Sequence, residues 1–117
     1  MIELLVVATI IIVLTTIGLT SFQAASKNAR NGKRKADIEA IRSALVLYRT
    51  DIGSYPPTPV NFATLLTTIS AYISSEDIRD PKNEAPFVYS YTSTGPEFSL
   101  CATLEPLPGA NYCVTNP

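Results

Sequence analysis

Between Met1 and Ile52 the chain contains no proline, and helical signals run through the whole of that stretch. A helix of about 50 residues at 1.5 Å per residue is near 75 Å long. A domain of 117 residues is too small to bury such a rod along its full length. The first half of the helix therefore has to lie in lipid or against other copies of the chain.

Apolar character is concentrated in that first half. From Met1 to Phe22 the single ionisable side chain is Glu3. A run of about 20 such residues matches the ~30 Å hydrocarbon core of a bilayer. It exceeds the apolar region of a signal peptide and has neither a basic segment before it nor a small-residue cleavage site after it. The reading is a membrane span. A fully buried core helix is the alternative, but too few residues remain to surround one.

The second half of the helix turns amphipathic. Ile38, Ile41, Leu45, Tyr48 and Ile52 recur at spacings of three and four, and Ala40, Ala44 and Leu47 widen the stripe. Arg42, Arg49 and Asp51 fall outside it. Gly53-Ser54-Tyr55-Pro56-Pro57 then ends the helix, since glycine suits the left-handed position after the last turn and proline cannot continue it. Inside the helix, Gly18 and Gly32 are the local weak points.

Beyond residue 53 the pattern is that of a small mixed domain. Phe62, Leu65, Leu66, Ile69, Tyr72 and Ile73 have helical spacing, predicting a short helix over about 61–74. Phe87, Tyr89 and Tyr91 alternate with Val88, Ser90 and Thr92, the period of a half-buried strand. After the turn signal Ser93-Thr94-Gly95-Pro96, a second strand is predicted from about Glu97 to Leu104. Residues 106–109 read as another turn, and a third strand covers about Asn111 to Thr115. The expected fold is α+β: a long N-terminal stem on a small antiparallel sheet with one extra helix. Its divisions are 1–24 for the membrane or filament-core half, 25–53 for the amphipathic half, and 54–117 for the head, with the sheet at about 87–115.

Charge divides along the same line. Residues 1–53 carry seven Lys/Arg against four Asp/Glu, leaving +3, whereas residues 54–117 carry two against six, leaving −4. A basic stem and an acidic head can attract each other between copies, or they are two unrelated solvated faces. Five of the cations, Lys27, Arg30, Lys33, Arg34 and Lys35, are clustered. They read as a solvated stretch flanking the span, with a lipid-headgroup or nucleic-acid contact as the alternative.

Catalysis finds no support. Histidine is absent, which removes the commonest general base and zinc ligand, and no strand–turn–helix nucleophile element is present. No enzyme activity and no cofactor are expected. Cys101 and Cys113 fall opposite each other if the second and third strands pair about residue 107, within disulfide range. Two free thiols in a reducing compartment are the alternative. The bridge is preferred and places the head in an oxidising compartment. Two cysteines without histidine fall short of a zinc site. Asp77, Asp80, Asn83 and Glu84 are weak calcium candidates, because their spacing does not fit an EF-hand loop. A solvated acidic loop is the preferred reading there. A lone membrane-anchored binding domain, presenting the aromatic strand, is a further alternative, although rings at strand spacing are more often core.

A carboxylate in a membrane span costs several kcal/mol unless shielded or paired, so Glu3 points to function, with snorkelling to water as the plain alternative. Met1-Ile2-Glu3-Leu4-Leu5-Val6-Val7-Ala8 resembles the N-terminal motif of type IV pilins and the related pseudopilins of type II secretion. The resemblance extends to Lys35–Ile41, Leu47-Tyr48-Arg49 and the Gly53–Pro56 exit, and more loosely to Asp80-Pro81-Lys82-Asn83 before the aromatic strand. It departs from the family in beginning two residues short of the family's mature N-terminus, with no leader. Missing residues or different processing are expected on that account. The family's mid-helix glycine and proline are replaced by Ile12 and Thr20.

The resemblance implies a subunit stored in the cytoplasmic membrane of a bacterium or archaeon, its head outside, that polymerises with itself into a type IV pilus-like surface filament. A pseudopilin of type II secretion or DNA uptake is the alternative. Glu3 would neutralise the terminal amine of an adjacent subunit. Ile2, Leu4, Leu5, Val6, Val7, Ile10, Ile11 and Leu14 would pack the filament core. Membrane lipid before assembly, an inner-membrane assembly platform and a prepilin peptidase are the implied partners, and nucleic acid is left open. Adhesion, twitching, DNA uptake and secretion share this stem.

Overall fold

The computed structural model describes residues 1–74, 77–105 and 110–117. Helix α1 (Ile2–Ile52) is continuous over 51 residues, and the molecule measures 76 × 28 × 24 Å. The rod ends where the sequence signals it. Gly53 takes φ 100°, and its N–H closes on the Arg49 carbonyl, a left-handed cap that other residues adopt only under strain.

The head closes over the far part of α1. Helix α2 (Phe62–Thr68) is capped by Asn61, whose side chain accepts from the Thr64 N–H at 2.9 Å. It stops earlier than its apolar spacing predicts. The continuation, Ser70–Tyr72, tightens into a 3₁₀ turn with the Tyr72 N–H on the Ile69 carbonyl. Three strands follow, β1 (Ser90–Ser93), β2 (Phe98–Thr103) and β3 (Asn111–Thr115), antiparallel in the order β1-β2-β3. Gly95 (φ 97°) and the Thr94 N–H to Glu97 carbonyl bond make the β1–β2 turn. The turn expected at residues 106–109 lies outside the described residues.

The aromatic alternation is right about burial and wrong about pairing. Phe87, Tyr89 and Tyr91 are buried and Val88, Ser90 and Thr92 exposed. Sheet pairing begins only at Ser90. The Phe87 N–H returns to the Glu84 carbonyl and the Val88 N–H to that of Pro86, so these backbone groups are spent on a tight turn and not on a neighbouring strand.

The core joins Ile38, Ile41, Ala44 and Leu45 of α1 to Leu65, Leu66 and Ile69, and to Tyr91, Leu100 and Val114 of the sheet. Tyr55, Tyr89, Phe98 and Ala102 complete it. The α1 stripe is narrower than its periodicity suggests. Tyr48 is half-buried, whereas Ala40, Leu47 and Ile52 are exposed, because the head covers a single side of the rod and ends before its last turn.

Candidate functional site: a bare stem and a buried clasp

Residues 1–25 are exposed without exception. Ile2, Leu4, Leu5, Val6, Val7, Ile10, Ile11 and Leu14 expose half or more of their surface. This is a helix long and apolar enough to cross a membrane. Its polar side chains do not interrupt that character. Thr9, Thr15 and Thr16 donate their hydroxyls to the carbonyls of Leu5, Ile11 and Ile12, and Thr20 donates to that of Ile17. The hydroxyls are thus satisfied within the helix and present no free donor to an apolar surrounding. Glu3 stands in the first turn, exposed, at the end of the helix where the macrodipole favours an anion.

The head is seated on the stem by a polar clasp. Arg34 is fully buried and holds Asp80 through two hydrogen bonds, Nε at 2.7 Å and Nη2 at 3.0 Å. Its Nη1 reaches Asn31 at 2.9 Å and Glu105 at 3.0 Å. Arg30 makes a two-pronged pair with the same Glu105, and Lys82 adds a third cation at 2.9 Å. The Asn31 amide pairs with the backbone of Glu105, donating to its carbonyl at 2.8 Å and accepting from its N–H at 2.9 Å. One helical turn of α1 thereby grips both the loop before the sheet and the segment leaving β2.

These contacts control ionisation. Arg30 above all, then Lys82 and Arg34, hold the Glu105 carboxyl far below the usual range against the opposing effect of burial. At Asp80 burial is the largest influence and pushes upward, but Arg34 and the backbone N–H groups of Lys82 and Asn83 together bring the group below its ordinary value. Both stay charged because the partners replace water.

Three tyrosines extend the attachment. Tyr89, Tyr112 and Tyr72 donate their hydroxyls to Asp37, Glu39 and Asp51 of α1 at 2.7 to 2.8 Å. Burial, and then the Asp37 carboxylate, pushes the Tyr89 phenol well above its ordinary value.

The clasp corrects two expectations. The cluster from Lys27 to Lys35 is not simply a solvated stretch: Arg34 is buried, Arg30 is held by Glu105, and Lys33 pairs with Asp37 at 2.7 Å. Nor is the loop at 77–84 a solvated acidic loop throughout. Asp80 is 2% exposed and its two oxygens face Arg34, while Asp77 contacts Arg79 and Asn83 is exposed at φ 50°. No group of three or more Asp, Glu, His or Cys among the described residues is placed to hold a metal ion. A signal for the buried cation exists in the sequence: Arg34 precedes Ile38, Ile41 and Leu45 by steps of four, three and four, so it stands on the core stripe. Its carboxylate partners lie 46 and 71 residues away, and helical spacing says nothing about them.

Cys101 and Cys113 are directly opposed between β2 and β3 and joined by a disulfide. The bridge ties edge strand β3 to the central strand β2.

No curated protein and no solved structure matches the chain. The family of type II secretion system protein G matches residues 22–103, a span that runs from the last residue of the apolar stem to the end of β2 and includes Arg34 and Asp80. Long apolar stem, single-sided head and family match agree, and the chain belongs to the type II secretion protein G family, the pilin-like pseudopilins.

Proposed function

We propose that this chain is a structural subunit, held in the cytoplasmic membrane by the apolar half of α1, that polymerises through that half into a pilin-like filament of a type II secretion machine. The observation that supports it most is the division of α1. Its far part buries one face against the head, while residues 1–25 are exposed throughout. Burying one leucine- or isoleucine-sized side chain contributes about 1.5–3 kcal/mol. Lipid satisfies this surface during storage, and the stems of neighbouring copies satisfy it in the filament.

In the filament Glu3 faces the terminal amine of an adjacent subunit. Apolar packing supplies most of the association free energy, and the ion pair sets register in a medium where charges interact strongly. The disulfide agrees with a head on the oxidising side of the membrane. An assembly platform and a prepilin peptidase are the partners that follow from the family resemblance. Type IV surface pili share this stem design, but the family match supports the secretion branch, so adhesion and twitching form no part of the proposal.

Immunogold electron microscopy of filaments sheared from the native cells, with antibody against residues 54–117, tests it. Label along the filament supports polymerisation. Antigen confined to the membrane of filament-bearing cells refutes it and leaves an anchored head domain.

A further inference from the structure

Where the head meets the apolar stem, the molecule is rimmed by the cations Lys27, Arg30 and Lys82. We propose that this rim docks on the headgroups of anionic phospholipid while the subunit is stored in the membrane; the inference rests on the membrane-storage reading above. Height along the rod comes first. Phe22 ends the apolar run, and at 1.5 Å per residue Lys27 lies about 7.5 Å and Arg30 about 12 Å further on. The polar layer of a leaflet is roughly 5–8 Å deep. Lys27 therefore sits in that layer. The Arg30 backbone stands roughly 4 Å beyond it, and Lys82 shares the Glu105 carboxylate with Arg30.

Charge supports the same partner. Arg30, Arg34 and Lys82 face two carboxylates, Asp80 and Glu105, so the clasp keeps a positive charge. Lys33 is paired with Asp37, Arg79 contacts Asp77, and Glu84 is the exposed carboxylate of the adjoining turn. Lys27 makes no ion pair among the described residues. Phe22, Gln23, Ser26, Lys27 and Arg30 line one shallow groove. From the stem outward it passes from an exposed ring through neutral polar groups to cations, the order in which a phospholipid presents chain, glycerol and phosphate. A lysine there extends its stem along the apolar surface and its ammonium toward phosphate.

The test uses the full chain in bilayer nanodiscs of zwitterionic lipid with a trace of spin-labelled phosphatidylglycerol or phosphatidylcholine. The fraction of each label immobilised by the protein gives a preference ratio. The expected ratio favours phosphatidylglycerol about threefold or more. It should fall toward one in Lys27→Gln and at high salt, where screening is short-ranged, and return in Lys27→Arg. Equal immobilisation of the two lipids by the unsubstituted chain, or a preference that Lys27→Gln leaves intact, overturns the proposal. If neither lipid is immobilised, membrane storage itself fails and the docking rim with it. An equimolar short DNA duplex that strips the preference reassigns the rim to nucleic acid and overturns lipid docking.

Discussion

Arg34 and Asp80 form a two-pronged ion pair, at 2.7 and 3.0 Å, in which both side chains are completely shielded from solvent. The pair joins the middle of a 51-residue helix to the loop that enters the sheet, 46 positions later in the chain. It therefore sets where along the rod the head sits. A buried pair of this kind adds little net stability over an apolar substitute, but removing one partner strands the other.

Arg34→Met is accordingly expected to destabilise the head by about 3–5 kcal/mol, since Asp80 loses its cation within the interior. Replacing Asp80 by Asn in the same chain should recover part of that loss. Denaturant unfolding of the detergent-solubilised protein, followed by tyrosine fluorescence, measures both. A loss under about 1 kcal/mol for Arg34→Met would show that Asp80 finds water or another partner.

Acid should loosen the head. Asp80 and Glu105 titrate below their ordinary values in the folded chain, and unfolded carboxylates titrate near 4. Their contribution is complete above about pH 5 and is lost as pH falls through 4 and below, toward the depressed folded values. The denaturant midpoint should therefore be flat from pH 7 to 5 and decline beneath that. Glu105→Gln should start lower and decline less steeply. An equally steep acid decline in that variant would assign the effect to other carboxylates.

Reduction of Cys101–Cys113 opens a loop with a sequence separation of 12, which corresponds to about 3 kcal/mol in the chain-entropy account. The expected result is a lower melting temperature of the head in reducing agent, matched by a Cys101→Ala/Cys113→Ala double variant. Indistinguishable melting of the oxidised and reduced chains would mean that β3 is held by its pairing alone.

Glu3→Ala should leave membrane insertion unchanged, because removing a charge only makes the stem more apolar. Filament yield, counted by electron microscopy after shearing, should fall severalfold as register is lost. Undiminished filaments would remove Glu3 from assembly.

Much of this protein is legible from local pattern. Freedom from proline and the Gly53–Pro57 exit determine the length and end of α1, since both act through the backbone of neighbouring residues. The same holds for the apolar run to Phe22, whose partner must be lipid or another copy whatever the head does. Period-two spacing identified Phe87, Tyr89 and Tyr91 as inward-facing, because burial follows side-chain direction. It did not say that the backbone at Phe87 would close a turn, which depends on Glu84 and Pro86.

Only the tertiary structure decided what the charges do. Arg34, Arg30 and Lys33 read as one basic run in sequence, yet in the fold the first is buried against Asp80, the second grips Glu105 and the third pairs with Asp37. Spacing along a helix gives the direction in which a side chain points, and Arg34 shares the direction of Ile38 and Ile41. Which carboxylate meets it is set by loops that return from 46 and 71 residues away. That pairing is a property of the closed chain, because an ion pair depends on distance in space and sequence pattern carries only distance along the chain.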